Sequence, residues 1–167
     1  MDKKALHKIS YGLYIVSSKK GDEINGQIAN SVFQVCSEPP VIAACINKEN
    51  LTNDFIEESK VFSISILSEK TPLPFIGKFG FRSGREIKKF ENLNYKTGKS
   101  GAPIPIDYSI AYLDCEVIEK IDIFTHTIFF GKVIDGEILS DEEPMSYAYY
   151  HEIKGRVPKF APTYIKD

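Results

Sequence analysis

Along most of this chain apolar positions recur with the two-residue period of strands rather than the longer period of helices. After a short helical opening over Lys3–Ser10, Gly12–Ser17 (GLYIVS) predicts a strand and Lys19–Asp22 a turn. Ile24–Ser37 carries Gly26, two Asn and several β-branched residues, which predicts one long irregular strand stopped by Glu38-Pro39-Pro40. Val41–Asn47 (VIAACIN) is apolar on both faces, as a central strand would be. Val61–Leu67 (VFSISIL) alternates Phe62, Ile64 and Ile66 with Ser63 and Ser65, predicting a strand with one buried face. Between those strands KENLTNDFIEESK predicts a helix capped by Asn50 or Thr52 and burying Leu51, Phe55 and Ile56.

A second helical piece is predicted over Leu73–Phe81, followed by strands at Leu93–Lys96, Tyr108–Ile121 and Thr125–Ile134. In the first long strand Ala111, Leu113, Cys115 and Val117 mark the buried face, and Asp122 falls in a hairpin connection. The aromatic, Pro- and Lys-rich stretch from Met145 to Asp167 has no clean period and reads as an extended segment packed on the rest. Roughly six or more strands, with no strand–helix alternation of a parallel sheet, argue for a closed or nearly closed antiparallel barrel whose closure hides its edges.

At 167 residues the chain suits one domain, and 43% hydrophobic residues suffice for a core. A formal net charge of −2 provides no basic field for nucleic acid. There is no apolar run of membrane-spanning length and no signal-like stretch, so a cytoplasmic protein is expected. Cys36, Cys45 and Cys115 are odd in number and lack Cys-x-x-Cys spacing, so no disulfide framework or metal centre is expected and each reads as a small buried hydrophobe.

Familiar signatures fail. Thr97-Gly98-Lys99-Ser100 resembles the end of a P-loop, but Leu93 stands where the upstream Gly belongs and Pro103 and Pro105 follow. No G-x-G-x-x-G follows the first strand, and His7, His126 and His151 lie far apart in sequence. What remains is a polar cluster: Asn30 and Ser31, then Ser37, then Asn47, Lys48, Asn50, Leu51 and Thr52 at a helix start. Free backbone N–H groups and the positive dipole end of a helix suit a phosphate monoester. Simple capping by Asn50 and Thr52, with Ser37 completing a turn, explains the same residues. The segment FGFRSGREIKKF (Phe79–Phe90) adds Ser83, Gly84 and Arg85, which permit close backbone approach and bidentate anion binding, or else form a solvated turn. His126 is either a structural or a catalytic histidine.

In this order, GLYIVSSKKGDEINGQIANSVFQVCSEPPVIAACINKENLTNDFI, VFSISIL, FGFRSGREIKKF and THTIFFGKV resemble the flavin reductase-like family, which binds FMN in a split β-barrel. YYHEIKGRVPKFAPTY (Tyr149–Tyr164) further resembles the flavin domain of NADH:rubredoxin oxidoreductases (high-molecular-weight rubredoxins) and kindred flavoredoxins. The resemblance implies a mainly β, antiparallel split barrel with a few short helices, forming a homodimer with FMN rather than FAD near the subunit interface. It implies hydride transfer from NADH or NADPH to the flavin, with rubredoxin, free flavin or another redox protein as acceptor. The alternative is a flavoredoxin-like electron carrier without pyridine-nucleotide activity. No Cys-x-x-Cys motif is present, so a rubredoxin partner is expected to be a separate protein.

Residue by residue, the resemblance implies that the isoalloxazine ring lies along Gln27, Ile28, Ala29, Asn30, Ser31 and Val32. It puts the phosphate near Ser37, Asn47, Lys48, Asn50, Leu51 and Thr52, with Ser83, Gly84 and Arg85 approaching cofactor or nicotinamide. His126 matches a histidine that often follows Gly-Asp in the family, but Phe124 and Thr125 precede it here.

Overall fold

The computed structural model describes residues 1–153. Its first hairpin joins β1 (Tyr14–Lys20) to β2 (Glu23–Ala29) through Gly21, whose φ of 57° is the left-handed conformation a tight turn needs. After it come β3 (Val32–Ser37), β4 (Pro40–Asn47), helix α1 (Leu51–Ser59) and β5 (Val61–Leu67). Helix α2 (Leu73–Gly80), the short strands β6 (Tyr95–Thr97) and β7 (Pro103–Pro105), the long hairpin β8 (Ser109–Ile123) and β9 (His126–Ile138), and helix α3 (Tyr147–Glu152) complete the order. Lys3–Lys8 form a 3-10 turn before the first strand.

Seven strands make one antiparallel sheet in the order β2-β1-β5-β8-β9-β4-β3. The two end strands are joined directly through Asn30 and Ser31, so the sheet curls until its ends meet, and Cys45 N donates to Ser31 O across the join. The fold is an antiparallel split β-barrel with a few short helices. The expected single strand over Ile24–Ser37 is therefore two. β2 pairs only with β1 and β3 only with β4, and a continuous strand could not serve both ends of the sheet.

Val16, Ile42, Ala44, Ile46, Phe62, Ile64 and Phe129 fill the barrel, and Ile56 of α1 plugs into the same cluster. Gly131 makes room for the Phe62 ring, which would stand 2.5 Å from any added Cβ. On β5 the serines expected on the wet face are fully buried, because the β6–β7 hairpin covers them. Ser63 Oγ donates to Pro103 O over 2.5 Å and Ser65 Oγ to Pro105 O over 2.9 Å. β6 lies two residues beyond its expected start, and β7, three residues with two prolines, carries no strand pattern. On α1, Thr52 and Asn53 are buried with Phe55 and Ile56, while Leu51 is only half-buried.

A second apolar cluster lies outside the barrel, where Leu13 and Ile15 meet Ile76 and Phe79 of α2, Phe90, and Met145 and Tyr150 at the last helix. The stretch expected to be extended thus contains α3, with Ser146 Oγ accepting from Tyr149 N as its N-cap; residues beyond 153 lie outside the described region. Cys36 is exposed on β3, contrary to the buried reading, whereas Cys115 is buried and Cys45 half-buried. No helix among the described residues is long and apolar enough to cross a membrane.

Candidate functional site

A cavity of about 360 Å³ lies between β2, the start of α1, α2 with the loop after it, and α3. Its floor comes from β2, where Asn25 and Gln27 share a face by the alternation of a strand. Asn25 Nδ2 donates to Thr52 Oγ1 over 2.8 Å, both residues being buried, which fastens β2 to the first turn of α1. The buried Gln27 Oε1 has no hydrogen-bond partner among the described residues.

The α1 end is built for an acceptor. Asn47 Oδ1 takes the Glu49 N–H over 2.9 Å and shapes the turn into the helix. Asn50 occupies the N-cap in extended conformation yet its side chain makes no capping bond, so the first-turn amides are not consumed by it. The loop after α2 closes over this end: Arg85 Nη1 donates to Glu49 O over 3.1 Å and Nη2 pairs with Asp54 at 2.8 Å. Gly84 packs so tightly that an added Cβ would stand 2.1 Å from Asn25 Oδ1. The far wall is apolar and aromatic, with Ile76, Phe79, Tyr147 and Tyr150. Burial raises the pKa of the Cys45 thiol at the rim and lowers that of the buried Lys89 ammonium to about 8.

The sequence-derived candidates divide. Gln27, Ile28, Ala29, Asn30, Asn47, Asn50, Leu51, Thr52, Ser83, Gly84 and Arg85 line the one cavity, although they come from three separate stretches of chain. Ser31 and Val32 lie just past its edge, where the chain turns into β3. Ser37 does not join the phosphate group: it pairs with Pro40 at the opposite end of β4 from Asn47, roughly 20 Å away along the strand. Lys48 is turned away as well, its Nζ 3.5 Å from Asp122 in the β8–β9 hairpin. His126 pairs with Asn47 across β9 and β4, its Nδ1 2.8 Å from Thr125 Oγ1, and is outside the cavity lining.

Sequence reasoning missed Asn25, Lys89, Tyr147 and Tyr150. Asn25 was findable from its two-residue spacing to Gln27. Lys89 is one of four basic residues within Arg82–Lys89 and carried no distinguishing local signal.

An antiparallel split barrel with a part-apolar cavity running into a helix N-terminus defines a barrel able to hold a ligand with a flat body and an anionic end. The chain belongs to the family described as "Flavin reductase like domain", whose model matches residues 6–156, and is thus a flavin-binding oxidoreductase of that family. It is 52% identical over 98% of its length, and 72% of the relative's, to the high molecular weight rubredoxin of Moorella thermoacetica. It is 46% identical to a ferric-chelate reductase (NAD(P)H) of Archaeoglobus fulgidus, over all of this chain and 99% of that one. Among solved structures it resembles the flavin reductase HpaC in complex with NADP+, with a TM-score of 0.75 and 26% identity, covering 87% of this chain and 90% of that one.

Proposed function

We propose that the protein binds FMN in this cavity, takes hydride from NADH or NADPH, and passes electrons to a separate acceptor such as rubredoxin or free flavin, acting as a cytoplasmic homodimer. The observation that carries the reading is the juxtaposition of Gln27–Asn30 with the uncapped first turn of α1 inside one cavity. A flat ring needs an apolar slot with a few polar edge groups, and a phosphate needs clustered N–H donors. The donor set fits, since the Gln27 amide oxygen is an unused buried acceptor and the Asn50 side chain leaves the start of α1 uncapped.

When bound, FMN supplies the hydride-accepting chemistry, and the nicotinamide supplies the hydride. The chain's own task is to bind, orient and exclude water. Asn25 fixes α1 against β2, Arg85 holds the 81–90 loop over the ligand, and Ile76, Phe79 and Tyr150 keep the inner wall dry. Because hydride moves directly between cofactors, no acid–base pair is required. The names of the relatives support the nucleotide and the acceptor class. Dimerisation is supported by exposed apolar side chains on two strands of the sheet, Phe33 and Val35 of β3 and Ile118 and Ile121 of β8.

Titration of the apoprotein with FMN, followed by quenching of flavin fluorescence, tests the binding. Uptake of one FMN per chain supports the reading, and an apoprotein that leaves flavin fluorescence unchanged overturns it.

A further inference from the structure

Positive charge is unevenly answered over this chain. Eight of the described Lys and Arg side chains hold a carboxylate within 4.0 Å, as Lys20 holds Glu58 and Lys99 holds Asp135. Of the nine described ones that hold none, all but Lys19 and Lys132 fall in two short stretches, Lys3–Lys8 and residues 78–89.

Both stretches border the mouth of the cavity. On one side Phe81 and Arg82 are exposed members of its lining, and Lys78 and Lys88 stand next in sequence to Phe79 and Lys89, which also line it. On the other side Tyr147, again of the lining, donates its N–H to Tyr11 O over 2.8 Å, and the two rings meet edge-on at 6.0 Å. Lys8 precedes Tyr11 by three residues, so at most about 11 Å of chain separates them. Lys3, Lys4, Lys8, Lys78, Arg82 and Lys88 all reach solvent. The acids beside them are Asp2, whose carboxylate caps Lys4 N, Glu86 and Glu91, with Glu49 on the cavity wall. The mouth therefore keeps an excess of positive charge in a chain whose formal net charge is −2. Like charges gathered on one face repel one another, a cost that a partner's negative charge offsets. Leu6, Ile9 and Phe81 lie exposed among them, giving the mixture of apolar contact and charged rim found at protein–protein contacts.

We propose that this cationic rim is the docking face for a small electron-transfer protein whose own redox centre is ringed by carboxylates. The proposal rests on the flavin reading above, because a protein seated here lies against the opening of the flavin cavity. Two successive one-electron acceptors take up the two electrons of the reduced flavin, whose proton passes to water. Encounters of this kind bury little area, so long-range attraction sets their rate more than contact does. Cations without internal partners suit the task, since no ion pair within the protein has to break when an acidic surface arrives.

Stopped-flow kinetics separate docking from flavin chemistry. The FMN-loaded protein is reduced anaerobically with dithionite, so that no nucleotide is present, and mixed with oxidised rubredoxin of net negative charge or with the neutral acceptor p-benzoquinone. Wild type is compared with the combined variant Lys3→Gln, Lys4→Gln, Lys8→Gln and Lys88→Gln, whose four side chains lie outside the cavity lining. Lys3→Gln with Lys8→Gln serves if the larger variant fails to fold. At about 10 mM ionic strength the second-order rate with rubredoxin is expected to fall about 10-fold in the combined variant and about threefold in the smaller one. The gap should close at about 0.5 M salt, and the quinone rates should agree within about twofold. Equal rubredoxin rates in wild type and variant overturn the docking face while leaving the flavin reading intact. An equal loss with quinone also overturns it, as does a loss seen only in reduction by NADPH, which would assign the cations to the nucleotide. A wild-type protein that takes up no FMN overturns the underlying reading.

Discussion

The Asn25 amide and the Thr52 hydroxyl are joined by a 2.8 Å hydrogen bond between two buried side chains that lie 27 residues apart. This bond fixes where α1 begins relative to β2, and hence the distance between the two halves of the cavity. Thr52→Val leaves the Asn25 donor buried and unmet, and should lower unfolding free energy by about 1–3 kcal/mol in urea titrations while weakening FMN binding. In a double-mutant cycle with Asn25→Leu the two losses should be non-additive by more than about 0.5 kcal/mol. Simple additivity would show that the two residues do not act as a pair.

Arg85 holds the loop but contributes little to global stability. Its ion pair with Asp54 is half-exposed on both sides, and pairs of that kind are worth about 0–1 kcal/mol. Arg85→Ala should therefore leave the urea midpoint nearly unchanged, yet speed protease cleavage within residues 81–90 and accelerate FMN release. Unchanged cleavage and release rates would remove the clamp from the account.

The β6–β7 hairpin depends on a buried acid. Asp114 is fully buried and accepts from both the backbone N–H and the hydroxyl of Ser100, the former at 2.8 Å. Asp114→Ala should cost about 2–4 kcal/mol of stability, because bonds to a charged acceptor are stronger than neutral ones. Gly98→Ala should destabilise through the same site, since its Cβ would stand 2.5 Å from Asp114 Oδ2. Denaturant titration of both variants checks this, and wild-type midpoints would contradict it.

Lys89 gives the apoprotein a pH signature. Burial lowers its folded pKa to about 8, below the ordinary lysine value of about 10.4. Between those two values the unfolded chain holds more protons, so Lys89 makes stability rise with pH across that window, by up to about 3 kcal/mol. Lys89→Met should lose that rise, and subtracting its profile from that of wild type removes the other groups that titrate there, Tyr14 and Cys115 among them. Parallel profiles for the two proteins would contradict that shift.

The barrel strands and α1 were legible because each alternates or repeats over several residues, and burial on the β4 strand follows its unbroken apolar run. The β6–β7 flap was not, because its hold on β5 runs through Ser63 and Ser65, whose polar faces read as solvent-facing until a partner forty residues away is in place. At the site, Asn47, Asn50 and Thr52 were readable as a helix start. Ser37 and Lys48 were misplaced for a related reason: residue type shows which groups can meet a phosphate, but only the sheet register shows which end of β4 Ser37 occupies and which way Lys48 turns. Lys89 and Tyr150 required the docking of α2 and α3, which no local pattern encodes.

The central claim is tested most directly by adding NADH, and separately NADPH, to the FMN-loaded protein under anaerobic conditions while following the yellow flavin absorption. The account predicts rapid bleaching by at least one nucleotide, with colour restored when oxidised rubredoxin or free flavin is then supplied. A protein that stays yellow with both nucleotides, yet bleaches with dithionite, would contradict the reductase and leave an electron carrier in its place.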